Sequence, residues 1–237
     1  MLPVLNEIEV SLCETHHVWQ GAPLYSARFY RVLKYHSPGL SPVCDETGAF
    51  HINVLGEPVY GERFIKTFGF YCSHAAVEAE HGWGHITAQG HFLYPQKYDW
   101  CGNYQEGLCA VRDKDGNYFH IDQRGQRAYS ESYAYVGDFK DRIAVVCTKE
   151  GKNSHINVEG KLTHHGQYQR LDVFHKGFAR AKDERGWFHI MKDGHPAYSY
   201  RFADLEPFYN GQALAQTFKS GLVVINTSGE IMREVVS

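Results

Sequence analysis

One short phrase recurs through the chain: "AFHINVLG", "GWGHITAQG", "NYFHIDQRG", "NSHINVEG" and "GWFHIMKDG". Anchored on histidine, the series is His16, His51, His85, His120, His155 and His189, with Val224 closing it, in steps of 35, 34, 35, 35, 34 and 35 residues. Five residues beyond each anchor stands a glycine: Gly21, Gly56, Gly90, Gly125, Gly160, Gly194 and Gly229. A fixed period in this range is the signature of a repeat architecture in which each unit buries its face on its neighbours.

The spacing within a unit is that of β structure. Apolar runs such as "GLCAVRD" and "DRIAVVC" lead through Gly-containing turns into the His strand, and a further turn follows. Aromatic residues recur behind the glycines, first at Phe29, Phe64, Tyr98, Tyr133, Tyr168 and Phe202, then at Tyr35, Phe70, Tyr104, Phe139, Phe174 and Phe208. A Gly-x-x-x-Tyr motif holds Tyr25, Tyr60, Tyr94, Tyr129 and Tyr198, with His164 and Arg233 at the matching places of two units. No segment sustains a 3.6-residue apolar period, so almost no helix is expected. Alternation along the His strand sorts it into two faces. Ile52, Ile86, Ile121, Ile156, Ile190 and Ile225 form the expected core column, which only His17 breaks. The anchors share the other face with Trp83, Tyr118 and Trp187, and with Asn or Asp two residues on.

Strands of this kind, with an aromatic and Gly before Ile-Asp or Ile-Asn and a Gly turn, resemble the WG-containing repeat family of bacterial proteins. Trp83-Gly84 is the pair itself, while Trp187 is followed by Phe188 where the family would have Gly. The resemblance spans essentially the whole chain and departs at the anchor, where Tyr is the family's expected residue. It implies a repeat β-scaffold and carries over no chemistry.

The expected fold is therefore all-β, with seven tandem units of about 35 residues in a single domain over 1–237: 1–29, 30–64, 65–98, 99–133, 134–168, 169–202 and 203–237. A β-propeller-like arrangement is favoured by count and length, with an open hairpin solenoid as the alternative. The chain ends after "GEIMREVVS" without a final aromatic segment, so no shared blade is expected to latch a ring.

Composition bounds the partners. With 24 Lys and Arg against 27 Asp and Glu, net charge is -3, and there is no field to draw the chain to nucleic acid or an anionic membrane. No apolar run is long enough to span a bilayer. Six cysteines without a C-x-x-C pair, and an opening "MLPVLNEIEV" unlike a secretory signal, lead to the expectation of reduced thiols in a cytoplasm.

Two readings of the histidines follow. In one, His51, His85, His120, His155 and His189 hold a transition metal, zinc or iron, in a metal-dependent enzyme. Equivalent positions two strands apart lie about 9 to 10 Å from each other, so convergence would require a narrow channel. In the other, each ring fills the same slot and bonds to a backbone carbonyl or to the neighbouring Asn or Asp. Weaker possibilities are the His81 and His85 pair and Cys13 beside His16 and His17. Carboxylates in "RDKDG", "AKDERG" and "CDETG" fall in turns. No nucleophile elbow, phosphate loop, H-E-x-x-H or dinucleotide fingerprint is present.

The unit over 169–202 and the joint after it break the repeat with His175, Lys176, Arg180, Arg201, Glu206 and Tyr209, a charged cluster suited to an acidic ligand. The function expected is thus a binding or scaffold module that presents Trp83, Tyr118, Trp187 and this cluster to a protein or small ligand. The alternatives are the metal enzyme and an accessory domain of a larger one.

Overall fold

A computed structural model describes residues 3–219 and 221–235. Among them the only helix is a 3-10 turn, Leu5–Glu7, and the strands form seven small antiparallel sheets. The fold is all-β and propeller-like. Contacts divide the chain into two compact units, residues 1–127 and 128–237.

The first unit holds four sheets. In chain order they are Glu9–Val10, His17–Trp19 and Ala22–Pro23; Arg31–Val32, Ser41–Asp45 and Gly48–Ile52; Lys66–Tyr71, His74–Ala79 and Gly82–Ile86; and Trp100–Cys101, Cys109–Arg112 and Tyr118–Ile121. The second unit holds three: Tyr135–Val136, Ile143–Cys147 and Asn153–Asn157; Arg170–Leu171, Phe178–Asp183 and Gly186–Met191; and a four-stranded one of Asp204–Leu205, Gln212–Gln216, Leu222–Asn226 and Ile231–Val235.

Each sheet is a meander in which neighbours in sequence are neighbours in space. In the third to seventh sheets the connection between the first two strands closes in a tight turn with positive φ at both central residues, as at Glu106 (52°) and Gly107 (84°), the backbone twist that suits two-residue loops. The turn after the His strand is held by the Asn or Asp column. Asn157 Oδ1 accepts the N–H groups of Glu159 and Lys161 at 3.0 Å each, and Asp122 Oδ1 those of Arg124 and Gln126 at 2.9 Å. These side chains are therefore committed to the turn and do not reach the histidines.

The Ile column is the core as the alternation predicts: Ile52, Ile86, Ile121, Ile156, Ile190 and Ile225 are all 0% exposed. The opposite face is buried too, because consecutive sheets within each unit pack on both sides. His51, His85 and His155 are also 0% exposed, and His120 and His189 are 1% exposed.

Candidate functional site

The anchor histidines are joints between sheets. The Nε2–H of His51 donates to the carbonyl of Phe68 at 2.8 Å, that of His85 to Gly102 at 2.9 Å, that of His155 to Asp172 at 2.9 Å and that of His189 to Glu206 at 3.0 Å. Every acceptor lies 17 residues on, in the first strand region of the following sheet. A carbonyl only accepts, so the proton is on Nε2 and Nδ1 must be an acceptor. The Gly-x-x-x-Tyr tyrosines fill that requirement: Tyr60 donates to His51 and Tyr94 to His85 at 2.5 Å, and Tyr198 to His189 at 2.7 Å. Where the motif has His164, its Nε2–H donates to His155 Nδ1 at 2.9 Å, and its own Nδ1 accepts the N–H of Gly166 at 3.1 Å. The substitution keeps both bonds with two neutral rings.

The same geometry corrects the register of the first unit. His17, at 0% exposure, bonds to the Tyr25 hydroxyl at 2.5 Å and to the Leu33 carbonyl at 2.8 Å, so it is the structural anchor rather than His16. The first unit is one residue shorter between anchor and tyrosine, which is why His17 stood in the Ile column of the sequence.

Aromatic packing completes each joint. The ring of His189 stacks on Phe208 with centroids 3.8 Å apart, His155 on Phe174 at 4.3 Å, and His51 lies against Phe70 at 4.6 Å. The repeated glycine sits beneath the tyrosine of the preceding repeat. A Cβ on Gly56 would lie 2.6 Å from the Tyr25 ring, and one on Gly229 would lie 2.5 Å from that of Tyr198. Burial holds His51, His85, His155 and His189 down at about 4, although the backbone bond of each favours the charged form.

This donor set does not fit a metal. In His51, His85, His155 and His189 the Nδ1 lone pair receives a hydrogen bond and Nε2 carries a proton, so no ring presents a free lone pair. Each points along its own joint toward the next sheet. Among the described residues no three of His, Cys, Asp and Glu are grouped as metal ligands.

The charged cluster of residues 175–209 does not come together at one place. His175 and Lys176 lie by Tyr209, with ring centroids of His175 and Tyr209 5.3 Å apart and the Lys176 ammonium 5.8 Å from the Tyr209 ring. Arg180 pairs with Asp172 at 2.5 Å and donates to the Leu205 carbonyl at 2.6 Å. Arg201 is turned elsewhere: it binds Asp183 through Nε and Nη2 at 2.8 Å, and its guanidinium lies 3.5 Å from the centre of the Phe188 ring. Glu206 exposes its carboxylate and contributes its carbonyl to His189.

The three aromatic candidates are half-buried. Trp83 stacks on Phe68 at 5.7 Å, and Tyr118 meets Trp100 at 6.1 Å. Trp187 has the Arg180 guanidinium 5.3 Å and the Lys182 ammonium 5.8 Å from its ring. Phe188, in place of the glycine after Trp, is 2% exposed beneath Arg201. At Gly84 that space is taken by Phe92, whose ring lies 3.1 Å from a would-be Cβ and carries the Lys97 ammonium at 3.5 Å. The pairing of histidine with tyrosine was missed in the sequence. The constant interval between the two columns is the signal that could have found it.

The WG-containing repeat family model matches residues 83–118. No curated protein matches the sequence. Among solved structures, the computationally designed Ika8 protein is similar at 12% identity and a TM-score of 0.51, covering 96% of this chain and 83% of its own. BamB from Moraxella catarrhalis is similar at 9% identity and a TM-score of 0.51, covering 92% and 78%. The WD40 beta propeller domain of Doa1 matches at 12% identity with a TM-score of 0.41, over 92% and 87%. At such identities the likeness concerns the fold alone. The match contains the Trp83-Gly84 strand itself, and the same joint is rebuilt in sheet after sheet, so the chain carries a WG-containing repeat at residues 83–118 within a propeller-like all-β fold.

Proposed function

We propose that this chain is a binding module that recognises a protein partner through an acidic segment laid on the sixth sheet. The supporting observation is a row across three strands. Arg170 pairs in register with Lys182, and Lys182 with Trp187, which brings two cations and a half-exposed indole onto one face. The equivalent rows are neutralised elsewhere, since Lys66 is bound to Glu78 at 2.9 Å in the third sheet and Arg112 is tied to Asp99 in the fourth. Among the described residues Arg170 and Lys182 are in no ion pair. Indole area beside unpaired cations favours recognition of carboxylates with little side-chain ordering. The six cysteines, all unpaired, suit a reducing compartment such as the cytoplasm.

Capture from native lysate by the unaltered protein and by the double variant Arg170→Glu, Lys182→Glu tests the reading. A partner retained at low salt, released as salt rises and lost by the variant is the expected result. Identical partners for both proteins, or none for the unaltered one, would count against it.

A further inference from the structure

The residue two before each anchor shares the anchor's face of its strand. It is Trp83, Tyr118, Asn153, Trp187 or Leu222, but in the second sheet it is Ala49. The equivalence is geometric. Ala49 bridges to Phe64 as Trp83 does to Tyr98 and Trp187 to Phe202, and its cross-strand partner is Cys44 where theirs are Glu78 and Lys182.

Beside Ala49, between the second and third sheets of the first unit, is a cavity of 240 Å³. Leu33, Pro42 and Cys44 form one wall, Ile65 and Thr67 belong to the other, and Arg31 also lines it. The third sheet displays what fills such a place: the Trp83 indole lies on Phe68, 29° from parallel. Leu33 stands in the second sheet where Phe68 stands in the third, because each gives its carbonyl to the preceding anchor. The second sheet thus has the floor for an aromatic ring without the ring.

Arg31 adds polarity. Its side chain is 63% exposed, and its ion pair runs through Nε to Glu14 at 3.4 Å, itself 58% exposed. A pair so solvated is weak and exchangeable, and a guanidinium has further N–H donors for a second carboxylate.

We propose that this cavity binds a small aromatic carboxylate, with its ring in the space left by Ala49 and its carboxylate on Arg31. The site goes beyond the protein-binding reading and shares no residue with it, so either stands if the other fails. Cys44, a half-buried free thiol in the wall, is a built-in reporter.

The test uses the full chain with indole-3-acetate and indole as probes. Indole-3-acetate should bind with fragment-like affinity, a Kd of about 0.1 to 1 mM. Ala49→Trp, which fills the cavity, should lower that affinity more than about tenfold. Arg31→Gln should weaken indole-3-acetate about three- to tenfold, the share of a solvated charge-assisted bond, and leave indole unchanged. Bound indole-3-acetate should also slow alkylation of Cys44 in peptide maps while the exposed Cys13 and Cys72 react as before. The proposal is overturned if neither probe binds at millimolar concentration, if Ala49→Trp binds as well as the unaltered protein, or if Arg31→Gln weakens both probes alike. If Ala49→Trp does not fold, Cys44 decides: unchanged alkylation under saturating indole-3-acetate overturns it.

Discussion

His51 shows at the scale of one residue why this chain repeats a histidine. The slot needs a donor toward the next sheet and an acceptor toward the tyrosine of its own, and a neutral imidazole supplies both on opposite edges of one ring. Removing one partner leaves a buried nitrogen without its bond, which costs about 1 to 3 kcal/mol. Tyr60→Phe is therefore expected to destabilise by that amount in denaturant unfolding, whereas Tyr209→Phe, at a residue 62% exposed, should stay within about 0.5 kcal/mol. Equal effects from the two would separate the tyrosine column from stability. The seventh sheet shows the converse. Val224 and Arg233 replace the pair, and the chain there forms a fourth strand, Ile231–Val235, with Val224 opposite Arg233 and a register shift between Val224 and Ile225. In the second sheet the corresponding segment bridges only at Pro58 and Phe64 and sends Tyr60 inward between them.

At the scale of the element, the repeated glycine does two things at once. Gly125 and Gly116 flank the same strand, both in turns and both left-handed, with φ of 74° and 80°. A Cβ at Gly116 meets nothing within 4 Å, but one at Gly125 would lie 2.5 Å from the Tyr94 ring. Gly116→Ala should cost about 1 kcal/mol for backbone strain alone. Gly125→Ala should cost about 1 to 3 kcal/mol more, because the tyrosine must shift out of a packed joint. The difference between the two melts measures the contact between successive repeats, and its absence would mean that the glycine serves only the turn. The strand itself was legible in sequence through its Ile alternation. The outward role assigned to its opposite face was not, because alternation reports two faces and cannot say that both are covered.

The whole molecule collects many such joints, and this makes it sensitive to acid. His51, His85, His155 and His189 titrate at about 4 in the folded chain against 6.5 for the free side chain, with burial as the main cause. The unfolded chain binds these protons first, so stability is intact above pH 6.5 and falls as pH drops toward 4, levelling only below it. Each ring contributes up to about 3 kcal/mol at 1.36 kcal/mol per pKa unit. Four together rival the roughly 5 to 15 kcal/mol that holds a typical domain folded. A cooperative loss of near-UV circular dichroism between pH 6 and 4 is expected, and a flat stability profile from pH 7 to 4.5 would contradict the buried neutral rings.

By itself the sequence determined the repeat, the all-β class, the Ile core and the resemblance to WG repeats, because periodicity and alternation are properties of a one-dimensional string that burial must obey. It also singled out the histidines and offered a backbone carbonyl as their acceptor, but not which carbonyl, 17 residues along in another sheet, nor the ring nine residues on that donates to Nδ1 in His51, His85, His155 and His189. Tertiary structure alone decided that the ring nitrogens are spoken for, that Arg201 and Arg180 have separate carboxylates, and that His17 is the first anchor. The reason is physical: hydrogen-bond saturation and ion pairing depend on distances between residues far apart in the chain, and those distances exist only once the sheets are packed.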